Sequence, residues 1–276
     1  MQMISRKKIT SFQKHILDWY SVHKRDLPWR ELPFDTVKGA RDPYKILVSE
    51  IMSQQTQLSR VIPKYEAWVK KFPSTEHLAQ AKTAEVLHYW NGLGYNRRAL
   101  HLKKTAEIIA AKYHGEFPRS EKELMILPGI GKYTARAILC FAFDQQVAVV
   151  DTNVRKVILT QFAVPEKEIA EIADALLPQG SAYNWNQALM DYAASVLKKE
   201  KISIPKQSQF IGSHRYYRGQ VLKLLLQKRK VPVDDVGFLI KKDYTDKDKK
   251  WLLKLLEELE KEGFIIANHN LIELVA

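Results

Sequence analysis

One cysteine in 276 residues, Cys140, excludes an intramolecular disulfide and any cysteine-ligated cluster. It lies in an apolar run with helical spacing, where an inert core thiol is the expected role. Metal-ligand patterns are equally scarce. The eight histidines are scattered and no HExxH string or Cys/His pair occurs, so neither a metal nor an iron–sulfur cofactor is expected. Long apolar runs are missing too. The stretches 135–143 and 147–150 fall short of the roughly 18–20 residues of a membrane span. Arg136 and Asp144 interrupt them, and a soluble protein without a membrane partner is expected. The opening MQMISRKKIT carries charge but no apolar segment leading to a small-residue cleavage site, so a cytoplasmic location is expected. Acidic residues are in deficit. The 31 Asp and Glu against 44 Lys and Arg leave a formal charge of +13, the footprint of a polyanion binder. An anionic membrane is the rival polyanion, but no segment combines a basic face with a bulky apolar face that lacks a better explanation.

What the chain does have is apolar periodicity. With 46% hydrophobic and 27% charged residues it is long enough for one large or two ordinary cores, and a disordered chain is excluded. From residue 10 to 197 the spacing is helical: Phe12, Ile16, Trp19 and Tyr20 recur at threes and fours, as do Leu78, Val86 and Leu87, then Ile108, Ile109 and Tyr113. Pro- or Gly-bearing breaks fall at 27–29, 71–74, 92–94, 117–120, 127–131 and 177–180, with Ser74 and Ser120 as capping candidates. This predicts a many-helix bundle over 1–197. A basic, extended linker follows at 198–213, with Lys198, Lys199, Lys201 and Lys206 around Pro205. Residues 214–276 read as a helix over 216–228, a short helical turn over 234–240, an amphipathic helix over 246–261, and two apolar runs separated by Asn268, His269 and Asn270. Three helices and a terminal hairpin resemble a winged-helix module, which can bind DNA, dock a protein or simply pack.

Three segments carry possible chemistry. The first is LPGIGKYTARAIL at 127–139, where Gly129 and Gly131 allow a tight turn that points amides outward at a helix N-terminus, with Lys132 following. That is either a phosphate clamp or an ordinary interhelical turn. The second is Asp151, delivered by the apolar run 147–150 to the start of a helix, and it is either an N-cap or a carboxylate facing a cleft. Glu50 is the third, one charge within the apolar and amide-rich LVSEIMSQQTQ at 47–57. If buried, it would hold its proton tightly enough to act as a general acid near neutral pH; if not, it is a common surface glutamate.

In this order the three segments resemble the helix-hairpin-helix DNA glycosylase superfamily, and their details resemble its adenine-excising, MutY-type branch. LPWR at 27–30, DPYK at 42–45, SEIM at 49–52, QQTQ at 54–57, VIP at 61–63, GLGY at 92–95, LPGIG at 127–131, Asp151 and NQALMD at 186–191 fall where that branch has its motifs. The resemblance covers roughly residues 12–196. It implies a mainly α, two-lobed helical glycosylase domain ahead of the small winged-helix-like domain. It also implies a monofunctional enzyme that removes mispaired adenine, opposite 8-oxoguanine or guanine, from duplex DNA in base-excision repair. Glu50 would protonate the adenine and Asp151 would stabilise the cationic sugar and help the attacking water. Tyr133 stands where bifunctional relatives carry a lysine, and a phenol cannot form their Schiff base, which predicts base removal without strand cleavage. Trp29, Arg30, Ser53 and Gln187 would line the pocket for the flipped base. Gln55 and Tyr95 would insert near the opposite base, with Asn96 beside them, and Arg97, Arg98 and Lys132 are candidate phosphate contacts alongside Gly129 and Gly131.

Departures from the family pattern carry their own implications. The four-cysteine iron–sulfur loop is absent, with Leu197 near the first cysteine position, which implies a clusterless form. The large C-terminal domain that reads 8-oxoguanine in the typical adenine enzyme is replaced by the small 216–276 module. Ser53 replaces a leucine, Asn96 the second of two tyrosines, and Thr152 a glycine. Such changes in the pocket leave open a mismatch thymine or uracil glycosylase, or another damaged-base enzyme, on the same scaffold. A non-catalytic DNA-binding protein is the remaining alternative, disfavoured because both carboxylates would repel phosphate. A monomer acting on duplex DNA with a mispaired or damaged base is expected.

Overall fold

The computed structural model describes residues 4–200, 202, 208–268 and 270–275. In chain order the helices are α1 (Arg6–His23), α2 (Pro43–Ser53), α3 (Leu58–Lys71), α4 (Thr75–Gln80), α5 (Thr83–Trp90), α6 (Arg97–Lys112), α7 (Glu121–Leu124), α8 (Lys132–Phe141), α9 (Thr152–Phe162), α10 (Ile169–Ala175) and α11 (Ala182–Ser195). After them come α12 (His214–Lys228), β1 (Lys230–Pro232), α13 (Val233–Ile240), α14 (Lys249–Lys261), β2 (Ile265–Asn268) and β3 (Leu271–Leu274). The expected helical character of the chain is borne out. Its backbone divides into two compact units, each made of two separate stretches: 1–51 with 116–204, and 52–115 with 205–276.

The first unit is organised around α11. Ala182, Trp185, Asn186, Gln187, Ala188, Leu189, Asp191, Tyr192 and Ala193 are all buried, so this helix is enclosed on nearly every side. It packs against α1 and α9. Helix α1 starts where the Ser5 hydroxyl accepts from the Lys8 amide at 3.4 Å, and buries Ile16 and Tyr20 one turn apart. Edge-on ring contacts of Phe12 with Phe162 and Trp185, at 5.1 and 5.8 Å, fill the space between these helices. Asn186 is buried but fully occupied. Its Oδ1 accepts from the Val149 amide at 2.7 Å, and its Nδ2 donates to the carbonyls of Val147 and Ala182 at 3.0 and 2.9 Å. One amide therefore straps the extended run 147–150 onto α11, and that run leads directly to Asp151.

The second unit has an aromatic centre, where the Trp68 ring meets Phe72 at 4.9 Å and Trp90 at 5.6 Å. Helix α6 packs on α4 and α5, and α12 packs on α5 and α14. In the C-terminal part, Leu252, Leu255, Leu256 and Leu259 of α14 form a buried stripe at three- and four-residue spacing, with Phe264 and Ile265 continuing it. The sheet has the order β1-β3-β2, all antiparallel, which is compatible with the expected winged-helix-like module.

Some local expectations needed adjustment. The helix expected from 216 begins two residues earlier, because the Ser213 hydroxyl accepts from the Tyr216 amide at 3.3 Å. The turn expected over 234–240 is an eight-residue helix. Strand β1 was not anticipated; it is three residues long and ends in a proline, which masks a strand signal. Ser120 caps α7 by accepting from the Glu123 amide at 3.3 Å, whereas Ser74 donates its hydroxyl to Glu76 at 2.6 Å and makes no side-chain cap. Lys201, Pro205 and Lys206 of the expected linker, and His269 of the expected hairpin turn, lie outside the described residues.

Candidate active site

Within the first unit, α2 and α8 bring Glu50 and Tyr133 together: the Tyr133 hydroxyl donates to Oε2 of Glu50 at 2.7 Å. Glu50 is half-buried on a helix whose neighbours Val48, Ser49, Ile51 and Met52 are buried. Burial pushes its carboxyl up from 4.5 to about 7; the Tyr133 bond and the Arg30 charge pull it down, while the charge of Asp151 adds to the rise. Tyr133 is held well above its ordinary value of 10.0, chiefly by burial and then by Glu50 and Asp151, so it remains a neutral donor. A group that is protonated in about half the molecules at neutral pH is suited to proton delivery.

Asp151 is the N-cap residue of α9, and both of its carboxylate oxygens accept hydrogen bonds. Its Oδ1 accepts from the Val154 amide at 2.7 Å, capping α9, while Oδ2 accepts from the Asn153 side-chain amide at 2.7 Å. Burial raises its affinity for a proton, and the Val154 and Asn153 hydrogen bonds and the Arg25 charge oppose that rise. Asn153 is not among the residues that the motifs mark. An amide two residues after a capping aspartate, within reach of its second oxygen, was the available signal.

Arg30 and Gln187, both expected at a base pocket, are each held by a polar partner. Arg30 makes a two-pronged bond to Asp191, Nη1 to Oδ2 at 2.7 Å and Nη2 to Oδ1 at 2.8 Å, while Arg25 donates through its amide and Nε at 2.9 and 2.6 Å. The Asp191 side chain has no exposed surface, and the two arginines hold its carboxyl below the usual range against the effect of burial. Gln187 is buried and accepts the Tyr20 hydroxyl at 3.1 Å; burial pushes Tyr20 up to about 12. The Tyr183 hydroxyl donates to the Arg30 carbonyl at 3.1 Å. Trp29 is buried beside this network in sequence. Arg25 and Tyr183 carry no signal in the sequence, and Tyr20 carries only that of helical spacing, because each polar partner lies more than 150 residues away.

The 127–131 turn has the form of a hairpin between α7 and α8. Leu124, Leu127 and Ile130 are buried and anchor it, whereas Gly129, Gly131 and Lys132 are exposed. Gly129 has φ +78°, a conformation that disfavours a side chain, and Gly131 is the N-cap residue of α8 with open space where a Cβ would stand. The amides at this end can meet an anion.

The other expected residues belong to the second unit. Ser53 ends α2, and Asn96 precedes α6 without a side-chain cap. Gln55 and Tyr95 are exposed, each on left-handed backbone. Arg97 is exposed and stands 3.9 Å from Glu262. Arg98 turns inward to main-chain carbonyls, and its guanidinium is lowered to about 10 by burial.

A four-cysteine cluster does not fit this chain: its sole cysteine, Cys140, is buried in α8 with its thiol pushed up to about 12 by burial. Among the described residues no group of three or more His, Cys, Asp or Glu side chains could hold a metal, and no helix is long and apolar enough to cross a membrane.

Residues 48–181 match the family described as HhH-GPD superfamily base excision DNA repair protein. The chain is 41% identical over 187 residues to an adenine DNA glycosylase of Mycolicibacterium smegmatis, covering 66% of this chain and 61% of that one. It is 36% identical over 228 residues to the adenine DNA glycosylase of Mus musculus, covering 78% of this chain and 44% of that one. It thus spans less than two thirds of either relative. The structure of a thermostable thymine-DNA glycosylase aligns with a TM-score of 0.62 and 32% identity, over 68% of this chain and 87% of that one.

Proposed function

Because the chain belongs to the helix-hairpin-helix base-excision glycosylase superfamily, we propose that it hydrolyses the N-glycosidic bond of mispaired adenine in duplex DNA, opposite guanine or 8-oxoguanine. The observation that carries this reading is the Glu50–Tyr133 pair, with Glu50 pushed up to about 7. Glu50 donates its proton to a ring nitrogen of the flipped base, and the bond from that base to C1′ breaks with its electron pair leaving on the base. Asp151, held at both oxygens, faces the positive sugar as an anion. Water then adds to C1′ and passes a proton to Asp151, leaving an abasic site. No lysine stands at position 133, so the strand is left intact. Arg30 and Gln187, fixed by Asp191 and Tyr20, line the base pocket with Trp29. Gly129, Gly131 and Lys132 hold a phosphate, and Gln55 and Tyr95 enter the stack.

A second reading is supported by the 32% identity to a thymine-DNA glycosylase: the same carboxylates would release mispaired thymine or uracil. Single-turnover assays decide between them, using duplexes with adenine opposite 8-oxoguanine or guanine, and thymine or uracil opposite guanine, followed by alkali to reveal abasic sites. Release of adenine alone is the expected result. Release of thymine or uracil instead moves the assignment to the second reading, and no release from any duplex overturns both.

A further inference from the structure

Gln55 and Tyr95 share an uncommon backbone. Their φ angles are 52° and 47°, and Tyr95 is 44% exposed. Left-handed backbone is unfavourable for a residue with a side chain, and it persists where the surroundings over-determine it. Here the surroundings converge on one guanidinium. Arg98 Nη1 donates to the carbonyls of Met52 and Gln54 at 3.3 and 2.5 Å. Nη2 donates to the carbonyls of Leu93 and Gly94 at 3.3 and 3.2 Å, and to Thr56 Oγ1 at 3.2 Å. Gln54 and Gly94 immediately precede the two left-handed residues, so Arg98 grips the peptide plane leading into each and thereby fixes both φ angles. Thr56 donates to the Gln54 carbonyl at 3.1 Å and Trp90 Nε1 to that of Gly94 at 2.9 Å, reinforcing the same two planes. The guanidinium also lies 5.2 Å from the Trp90 ring centre and 5.4 Å from that of Tyr95.

We infer that Arg98 is a positioning residue, which sets Gln55 and Tyr95 together for entry into the DNA stack and does so through these two peptide planes rather than by meeting a phosphate. The inference rests on the glycosylase reading above, under which the gap left by a flipped base must be filled. A planar fork reaches two loops at once, which a lysine ammonium does not.

The test uses the full chain carrying Glu50→Gln, so that chemistry is silenced, and a duplex with 2-aminopurine beside the mispaired base, whose fluorescence rises when the stack opens. Adding Arg98→Lys, which keeps the charge and loses the fork, is expected to cut the rise at saturating protein to less than half. With Glu50 present, the same change is expected to slow excision about 10- to 100-fold. Arg98→Met is expected to leave the salt dependence of binding unchanged. An undiminished rise with Arg98→Lys, or a slope shallower by about 0.9 with Arg98→Met, as when one phosphate contact is lost, overturns the inference. So does a full further 10-fold loss when Arg98→Lys is combined with Gln55→Ala and Tyr95→Ala, because a residue acting through those two adds little once they are gone. If the Arg98 variants do not melt cooperatively, Thr56→Val carries the test, with a smaller loss of the rise expected and an unchanged rise refuting it. Failure of the parent protein to release any base, with the fluorescence rise intact, counts against the glycosylase reading and not against Arg98. Excision without any rise counts against Arg98 alone.

Discussion

The Tyr133 hydroxyl points its proton at Oε2 of Glu50 from 2.7 Å, and the phenol stays neutral because burial and two nearby carboxylates oppose its ionisation. The pair therefore has one direction of donation at rest, and Glu50 alone changes protonation near neutrality.

The first expectation is a pH profile with a sign. Excision requires Glu50 protonated, so the single-turnover rate should fall about tenfold per pH unit above about 7. Glu50→Gln should lower the rate by about 10²–10⁴ and abolish that limb while duplex binding is kept. A variant that retains most of its activity refutes the role.

The same carboxyl makes a stability prediction. Its folded value, about 7, lies above the ordinary 4.5, so the folded chain holds the proton more tightly; the resulting stability is fully present below about pH 4.5 and is lost as pH rises through about 7. Glu50→Gln should stabilise the protein by about 1–3 kcal/mol at pH 8 and by little at pH 4. Urea unfolding at the two pH values measures the difference.

Position 133 separates two outcomes. Tyr133→Phe removes the bond that lowers Glu50, so the alkaline limb should move to higher pH. Tyr133→Lys should introduce strand nicking through an imine that borohydride traps. Failure to trap it would mean that this side chain does not reach the sugar.

Asp191→Asn should cost about 3–5 kcal/mol, because Arg25 and Arg30 would be left facing a neutral group in a site with no exposed carboxylate surface. The denaturation midpoint reads this directly. An effect under 1 kcal/mol would mean that the network is relaxed by water.

Lys132→Ala should weaken binding to every duplex alike and reduce the salt slope by about 0.9. An unchanged slope would remove Lys132 from the phosphate contacts.

Much of this arrangement was legible because it is local. The helix starting at Lys132 follows from Gly129 and Gly131, which turn the chain immediately before it. The terminal hairpin follows from two apolar runs around a polar turn. Asp151 was ambiguous for a physical reason: a carboxylate has two oxygens, and here one caps a helix while the other is held by Asn153. Arg98 was read with the other cations of a basic chain, because nothing in its neighbourhood in sequence reveals that its partners include Met52 and Gln54, more than 40 residues earlier. The Asp191 network was equally hidden, since Arg25 and Arg30 lie at the far end of the same unit's sequence.

The chain enters each compact unit, leaves it and returns. On a ribosome working at about 5–20 residues per second, the segment 52–115 emerges several seconds before its companion 205–276. During that interval the flank of α5 that α12 will cover has no cover of its own making. A nascent chain stalled near residue 200 would consequently leave that flank bare, the kind of transiently exposed apolar surface that chaperones meet.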